Sequence, residues 1–216
     1  MTTTKKQGAG RPKSEEKKEQ ILKAASTLFL ECGFASTSMD LVANRAGVSK
    51  QTVYSHFENK DRLYVAVIEG KCSQYCFDED NLQLNPEDLE TSLKHLGHQF
   101  IKLLSDPEVI ATYKALIGDI GNNPHIAELF YSAGSRRGRK ILADYFVLQE
   151  RYPIPQDVAE KVSILFFSTL KGEFHIRNLL GLTSEYPPHY FKQHVNQVVE
   201  WILLCLAHES NKLSKQ

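Results

Sequence analysis

Lys50, Gln51, Thr52, Tyr54 and His56 crowd five hydrogen-bonding side chains into one seven-residue stretch, with Val53 inside it and Phe57 just after it as the apolar residues. A helix that only had to pack would not carry so much donor and acceptor chemistry beside so little apolar surface. A short helix of this width and polarity fits the major groove of B-DNA, where base edges present a full donor and acceptor code. Other chemistry is weakly represented. No Ser/His/Asp order, phosphate-binding glycine loop, GxGxxG or His-Glu-x-x-His occurs in a workable context. His95 and His98 stand three apart and Cys72 and Cys76 four apart, neither a standard zinc spacing, so metal or redox sensing is a minor alternative.

The polar stretch needs a scaffold, and residues 38–60 supply one. Leu41, Val42 and Ala46 mark a short helix capped by Thr37 or Ser38, Gly47 breaks it, and Ser49 caps the next. Two short helices meeting at a glycine-containing turn form a helix-turn-helix whose second helix projects outward. Val42, Ala43, Ala46, Val48, Val53 and Phe57 supply the small core that sets the angle. Upstream, Ser14 is expected to cap a helix carrying Ile21, Leu22, Ala25, Leu28, Phe29 and Cys32 that ends near Gly33. Downstream, Asn59 opens a helix with Leu63, Val67 and Ile68 on its buried side.

The remainder also reads as helical. Asn85-Pro86, Asp106-Pro107 and Asn123-Pro124 each suggest a cap followed by a first-turn proline. Their helices are expected to end near Ser105, Ile120 and Gln149, with two more over about 156–180 and 188–208. No strand-length alternation competes, so the expected fold is all-α.

These residues resemble the TetR-type one-component regulators. The resemblance covers about residues 14–68 through Cys32-Gly33-Phe34, Thr37, Val42-Ala43, Ala46-Gly47-Val48-Ser49, Tyr54-Ser55-His56-Phe57 and Asn59-Lys60. It implies an N-terminal three-helix DNA-binding domain (14–60) behind a flexible basic arm (1–13). A ligand-binding and dimerisation bundle (61–216) follows, with about nine helices in all. By the same resemblance Lys50 and Gln51 are base-edge readers. Ser38, Thr52, Tyr54 and His56, with Ser49 at the helix start, belong to the phosphate-contacting set. Lys60 grips the backbone, and Arg11 in Gly10-Arg11-Pro12 enters the minor groove. Asp40 stands where some relatives carry a DNA contact; a carboxylate there would repel phosphate, so that role is not transferred. A shorter stretch, Leu170 to Leu182, resembles the C-terminal domain of the AefR-like branch.

In this architecture the last two helices pair subunits, which puts Val158, Val162, Leu165, Val195, Val198, Val199, Ile202 and Leu206 forward as the dimer interface. A homodimer implies a pseudo-palindromic operator. An apolar effector pocket is expected from Phe100, Tyr113, Leu116, Ile117, Phe130, Phe146, Phe166 and Leu170, with His98, Tyr113, Asp119 and Arg177 as polar handles. The implied protein is a repressor released by a small hydrophobic or amphipathic effector, with no cofactor, no membrane partner and no catalytic residue.

Composition agrees with this division of labour. The 216 residues carry no net charge, yet residues 1–62 hold eleven Lys/Arg against seven Asp/Glu, a surplus of +4 that the rest must offset. A basic end on a mildly acidic body suits one face toward phosphate. No apolar run approaches the roughly 18 residues that span a bilayer. The first residues run into charge rather than an apolar core, so the expected location is the cytoplasm.

Overall fold

The computed structural model describes residues 13–75, 84–85, 87–182, 186–187 and 189–213. Among them the only regular structure is helical: α1 (Lys13–Ser36), α2 (Met39–Ala46), α3 (Lys50–His56), α4 (Lys60–Ser73), α5 (Leu89–Ser105), α6 (Pro107–Asp119), α7 (His125–Tyr131), α8 (Arg137–Val147), α9 (Gln156–Leu180) and α10 (Tyr190–Leu213). A π-helical segment, Ser132–Arg136, joins α7 to α8 without a break. Counting that run as one helix gives nine, and the all-α expectation holds.

The chain divides into two compact units between Val67 and Ile68. The expected boundary after residue 60 falls instead in the first turn of α4, because the head's core needs that turn. Phe29, Phe34 and Tyr64 pack as a trio, with Phe29 and Phe34 stacked at 5.8 Å and Tyr64 edge-on to each at 5.2 and 5.3 Å. Leu63 beside Tyr64 is fully buried. α1 already includes Ser14 in its first turn, so that serine does not cap it. The helix is interrupted at Gly33 (φ 77°), whose carbonyl accepts from Thr37 Oγ1 at 2.8 Å.

In the second unit α5, α8, α9 and α10 enclose a continuous apolar core that includes Leu93, Leu96, Leu142, Phe146, Phe166, Leu170, Val195 and Ile202. Proline punctuation sets the helix starts in three different ways. Asp106 caps α6 as expected, with its Oδ1 accepting from Glu108 N at 2.7 Å. α5 is capped by Asp88, which accepts from Thr91 N, whereas Asn85 only turns the chain through Glu87 N. α7 starts on Pro124 with no side-chain cap, because the Asn123 amide donates back to Asp119. Lys71 near the end of α4 lies 2.7 Å from both Asp106 and Glu108, and the Tyr75 hydroxyl donates to Asp106 at 2.6 Å. Half-buried and fully partnered, this network fixes the start of α6.

α9 is not one rod. Gly172 has φ 49° and ψ −161°, outside helical space and in the half of the map that favours glycine. The break frees the carbonyl of Leu170, which lies 3.2 Å from His194 Nε2 on α10.

Candidate nucleic-acid interface

The turn before α3 is built from two caps. Gly47 adopts φ 67° and donates its N–H to the carbonyls of Ala43 and Asn44, while Val48 N reaches Ala43 O at 3.1 Å. This left-handed close satisfies the last carbonyls of α2 and swings the chain out of it. Ser49 then accepts from Thr52 N at 3.1 Å and shares a 2.8 Å hydrogen bond between its Oγ and Thr52 Oγ1. α3 is only seven residues long and would not hold alone. Val53, fully buried, and Phe57, 6% exposed, clamp its inner face to the head.

That clamp turns the other face outward. Lys50, Gln51, Tyr54 and Ser55 are exposed, and Thr52 and His56 are half-buried. Gln51 has no hydrogen-bond partner among the described residues. Lys50 has one: its Nζ lies 2.8 Å from Asp40 Oδ1 and 2.9 Å from Oδ2, and the Asp40 carboxylate holds its pKa above the ordinary lysine value. Its ammonium also stands 6.0 Å from the Tyr54 ring centroid. The carboxylate that the sequence flags as hostile to phosphate is thus the partner of Lys50, the lysine expected to read base edges. Ser38 caps α2 by accepting from Leu41 N at 3.1 Å, and its exposed oxygen stays at the surface.

Lys60 is placed otherwise than expected. Its Nζ donates to the carbonyls of Phe34 at 2.8 Å and Ala35 at 3.3 Å, and it sits 4.3 Å from the Phe34 ring centroid. A cation at the carbonyl end of α1 is well stabilised there, so the side chain closes the head from inside its own unit. Arg45 on α2 adds a two-armed bond to Glu31 on α1 at 2.8 and 3.0 Å. Arg11 lies outside the described residues.

The dimer expectation needs correction. Val162, Val195, Val198, Val199, Ile202 and Leu206 are each no more than 3% exposed within a single chain, so they form the subunit's own core and offer no surface to a partner. Val158 is half-buried against that core. Leu165 alone of the eight is exposed, at 45%, beside Ile164; on α10 the exposed apolar residues are Trp201 at 53%, Leu204 at 64% and Leu213 at 39%. Helical periodicity picks out the strongest apolar stripe, and that stripe is the core side. Trp201, the chain's only tryptophan, stands off the stripe and was the available signal.

The effector set also separates. Ile117 is 59% exposed and does not wall an interior: Leu116 and Tyr113 hold the inner face of α6, which rotates residue 117 outward. Phe146, Phe166 and Leu170 are fully buried core side chains, and Phe100 packs on Phe167 at 4.8 Å. His98 is half-buried on α5, its pKa lowered by desolvation and by Lys102 and His95. Arg177 faces Glu173 at 3.6 Å. Tyr113, which packs against that core, meets Phe130 edge to face at 4.9 Å, and the ring that joins them is His175, 5.0 Å from Tyr113. His175 was not singled out by the sequence; a histidine on an apolar face carries no distinguishing pattern.

Among the described residues no cluster of three or more His, Cys, Asp or Glu side chains could hold a metal ion. Cys76 lies outside those residues. Burial pushes the Cys72 thiol up to about 11, which leaves little reactive thiolate. None of the described helices is long and apolar enough to cross a membrane.

Comparison with known proteins agrees with this geometry. Residues 21–67 match the family of bacterial regulatory proteins of the tetR type, and residues 91–207 match the C-terminal domain of the AefR-like transcriptional repressors. The HTH-type transcriptional activator FasR of Mycolicibacterium smegmatis is 46% identical over 55 residues, covering 26% of this chain and 25% of its own. The HTH-type transcriptional repressor NicS of Pseudomonas putida is 27% identical over 93 residues, covering 43% and 44%. The match thus spans less than half the length of either relative. Among solved structures, the flavonoid-responsive regulator FrrA superposes with a TM-score of 0.69 at 26% identity, over 88% of this chain and 96% of its own. A TetR-family regulator from Mesorhizobium loti gives 0.67 at 24% identity over 90% and 98%, a likeness of fold. The relatives are transcriptional regulators rather than enzymes. With more than half of its length matched by the C-terminal family alone, this chain belongs to the TetR family of bacterial transcriptional regulators.

Proposed function

We propose that the chain is a ligand-responsive repressor that binds a pseudo-palindromic operator as a homodimer and leaves it when a small molecule occupies the second unit. The observation that carries this is α3: a doubly capped helix, pinned on Val53, that presents Lys50, Gln51 and Tyr54 to solvent. In this reading Gln51 and Lys50 read base edges, and Lys50 exchanges Asp40 for the DNA. Ser38, Ser49, Thr52, Tyr54 and His56 contact phosphates. Lys60 acts indirectly, by fixing the angle of the head.

The dimer forms through the exposed apolar residues of α9 and α10, chiefly Leu165, Trp201 and Leu204, since contiguous exposed apolar surface marks a contact site. Two-fold pairing presents two α3 helices to successive major-groove turns. The effector acts by preferring a conformation unsuited to the operator, and the coupling equals its differential affinity for the two states. α4 spans the division between the units and is the natural carrier. Selection of bound duplexes from random DNA tests the proposal. A recovered inverted repeat with steep salt dependence supports it; failure to bind any duplex at low ionic strength rejects it.

A further inference from the structure

Half-buried cations in the second unit are generally matched by acids. Lys71 faces Asp106 and Glu108, Arg137 faces Glu69 at 3.1 Å, and Lys94 faces Glu90 at 2.5 Å. Lys171 and Arg139 break that pattern. Both are half-buried, and neither has a carboxylate partner among the described residues. They are close enough that Arg139 adds to the desolvation that lowers the Lys171 pKa. The next acid along α9, Glu173, is directed to Arg177 instead. Two half-buried like charges near one another without a counterion cost free energy that a monomer has no folding reason to accept.

A second, independent deficit lies four residues along the chain from Lys171. His175 is 8% exposed, and its Nδ1 has neither solvent nor a hydrogen-bond partner. Buried polar atoms are nearly always paired, so an orphan calls for an explanation. Burial first, then Lys171, depresses the His175 pKa to about 4, so the ring is neutral at physiological pH. Ser135 lies in the π-helical segment that joins α7 to α8. Arg139 Nε donates to the Ser135 carbonyl at 3.1 Å. π-helical segments inside α-helices concentrate at functional sites. Aromatic rings on one side and unmatched positive charge with an orphaned imidazole on the other describe a receptor for an amphipathic anion.

We propose that Lys171, Arg139 and His175 receive the acidic head of an organic anion whose apolar body lies against Tyr113 and Phe130. That this anion is also the effector rests on the ligand-responsive reading above. The head supplies the missing negative charge to both cations and a partner for the imidazole nitrogen; the flat rings supply the apolar contact.

Binding to the full-length protein is to be measured by calorimetry with 2-naphthoate and decanoate, their amides, and 2-naphthylmethylammonium. The expected result is that a carboxylate binds at least ~10-fold tighter than its amide, about 1.4 kcal/mol. Lys171→Met should erase most of that advantage while leaving the amide within about twofold, and Lys171→Arg should restore it. Lys171→Met should melt no lower than the parent, since it removes an unmatched charge; if it fails to fold, Arg139→Gln serves as the second variant with the same expected loss. Equal binding of acid and amide, tighter binding of the ammonium, or no binding by any probe overturns the proposal. A labelled operator duplex separates the two readings. Carboxylate binding that leaves duplex affinity unchanged upholds the anion site and removes its role as effector.

Discussion

Lys60 Nζ donates to the carbonyl of Phe34 at 2.8 Å while lying 4.3 Å from the centroid of the same residue's ring. One side chain therefore satisfies the end of α1 and covers an aromatic of the head's core. Charged hydrogen bonds and cation–π contacts of this kind together contribute about 2 kcal/mol.

Lys60→Met should accordingly lower the stability of the protein by about that amount in urea titrations followed by circular dichroism. A salt slope of duplex binding reduced by about one, with stability unchanged, would instead return Lys60 to the phosphate backbone.

Asp40 and Lys50 form an exposed pair, so their separation costs little stability. Asp40→Asn removes a negative charge from the face offered to DNA and releases Lys50. All duplexes should bind roughly three- to tenfold tighter at low salt, with a slope steeper by up to about one. Weaker binding would mean that the pair positions Lys50 rather than restrains it.

Gln51 is exposed and has no hydrogen-bond partner among the described residues, which is the arrangement of a reader rather than a strut. Gln51→Ala should relax preference at a single operator position by about 1–3 kcal/mol with other positions unchanged. Uniform loss across all sequences would make it a backbone contact.

On α10, Trp201→Glu or Leu204→Glu should dissociate the proposed dimer in sedimentation experiments and leave the helical content intact, because both side chains lie outside the subunit core. Ile202→Ala should do the reverse, costing about 2–5 kcal/mol of stability as a core deletion. A Trp201→Glu protein that remains dimeric would refute the proposed interface.

The contrast between neighbours 201 and 202 also shows where sequence reading succeeds and where it stops. Gly47 and Ser49 are local devices whose effect depends on the next few residues, so the helix-turn-helix and its exposed readers could be read directly from residue type. The exposed apolar residues Leu165, Trp201 and Leu204 could not, because apolar periodicity finds the side that packs inward and is silent about a second, weaker stripe. Partners distant in sequence were equally hidden. Lys60 finds Phe34 and His175 finds Tyr113 only through the fold. Gly172 was invisible because its neighbours on both sides have a strong helical pattern.

His175 also predicts a pH response. Its folded pKa, about 4, lies below the roughly 6.5 of an unfolded histidine. Protons therefore favour the unfolded chain between those values. The contribution is complete above pH 6.5 and is lost as pH falls toward 4, amounting to about 3 kcal/mol. His175→Phe should flatten the stability profile across that window, and an unchanged profile would show that the ring is solvated.

The interruption at Gly172 sets how far a disturbance at the aromatic cluster travels. An unbroken helix resists torsion along its length; here the hydrogen-bond ladder is discontinuous, and the loose carbonyl of Leu170 is held by His194. The segment bearing His175 is therefore mechanically insulated from the segment bearing Ser163 and Phe166. A tilt of the outer segment, which carries His175, need not unseat Ser163 and Phe166 in the core of the inner one.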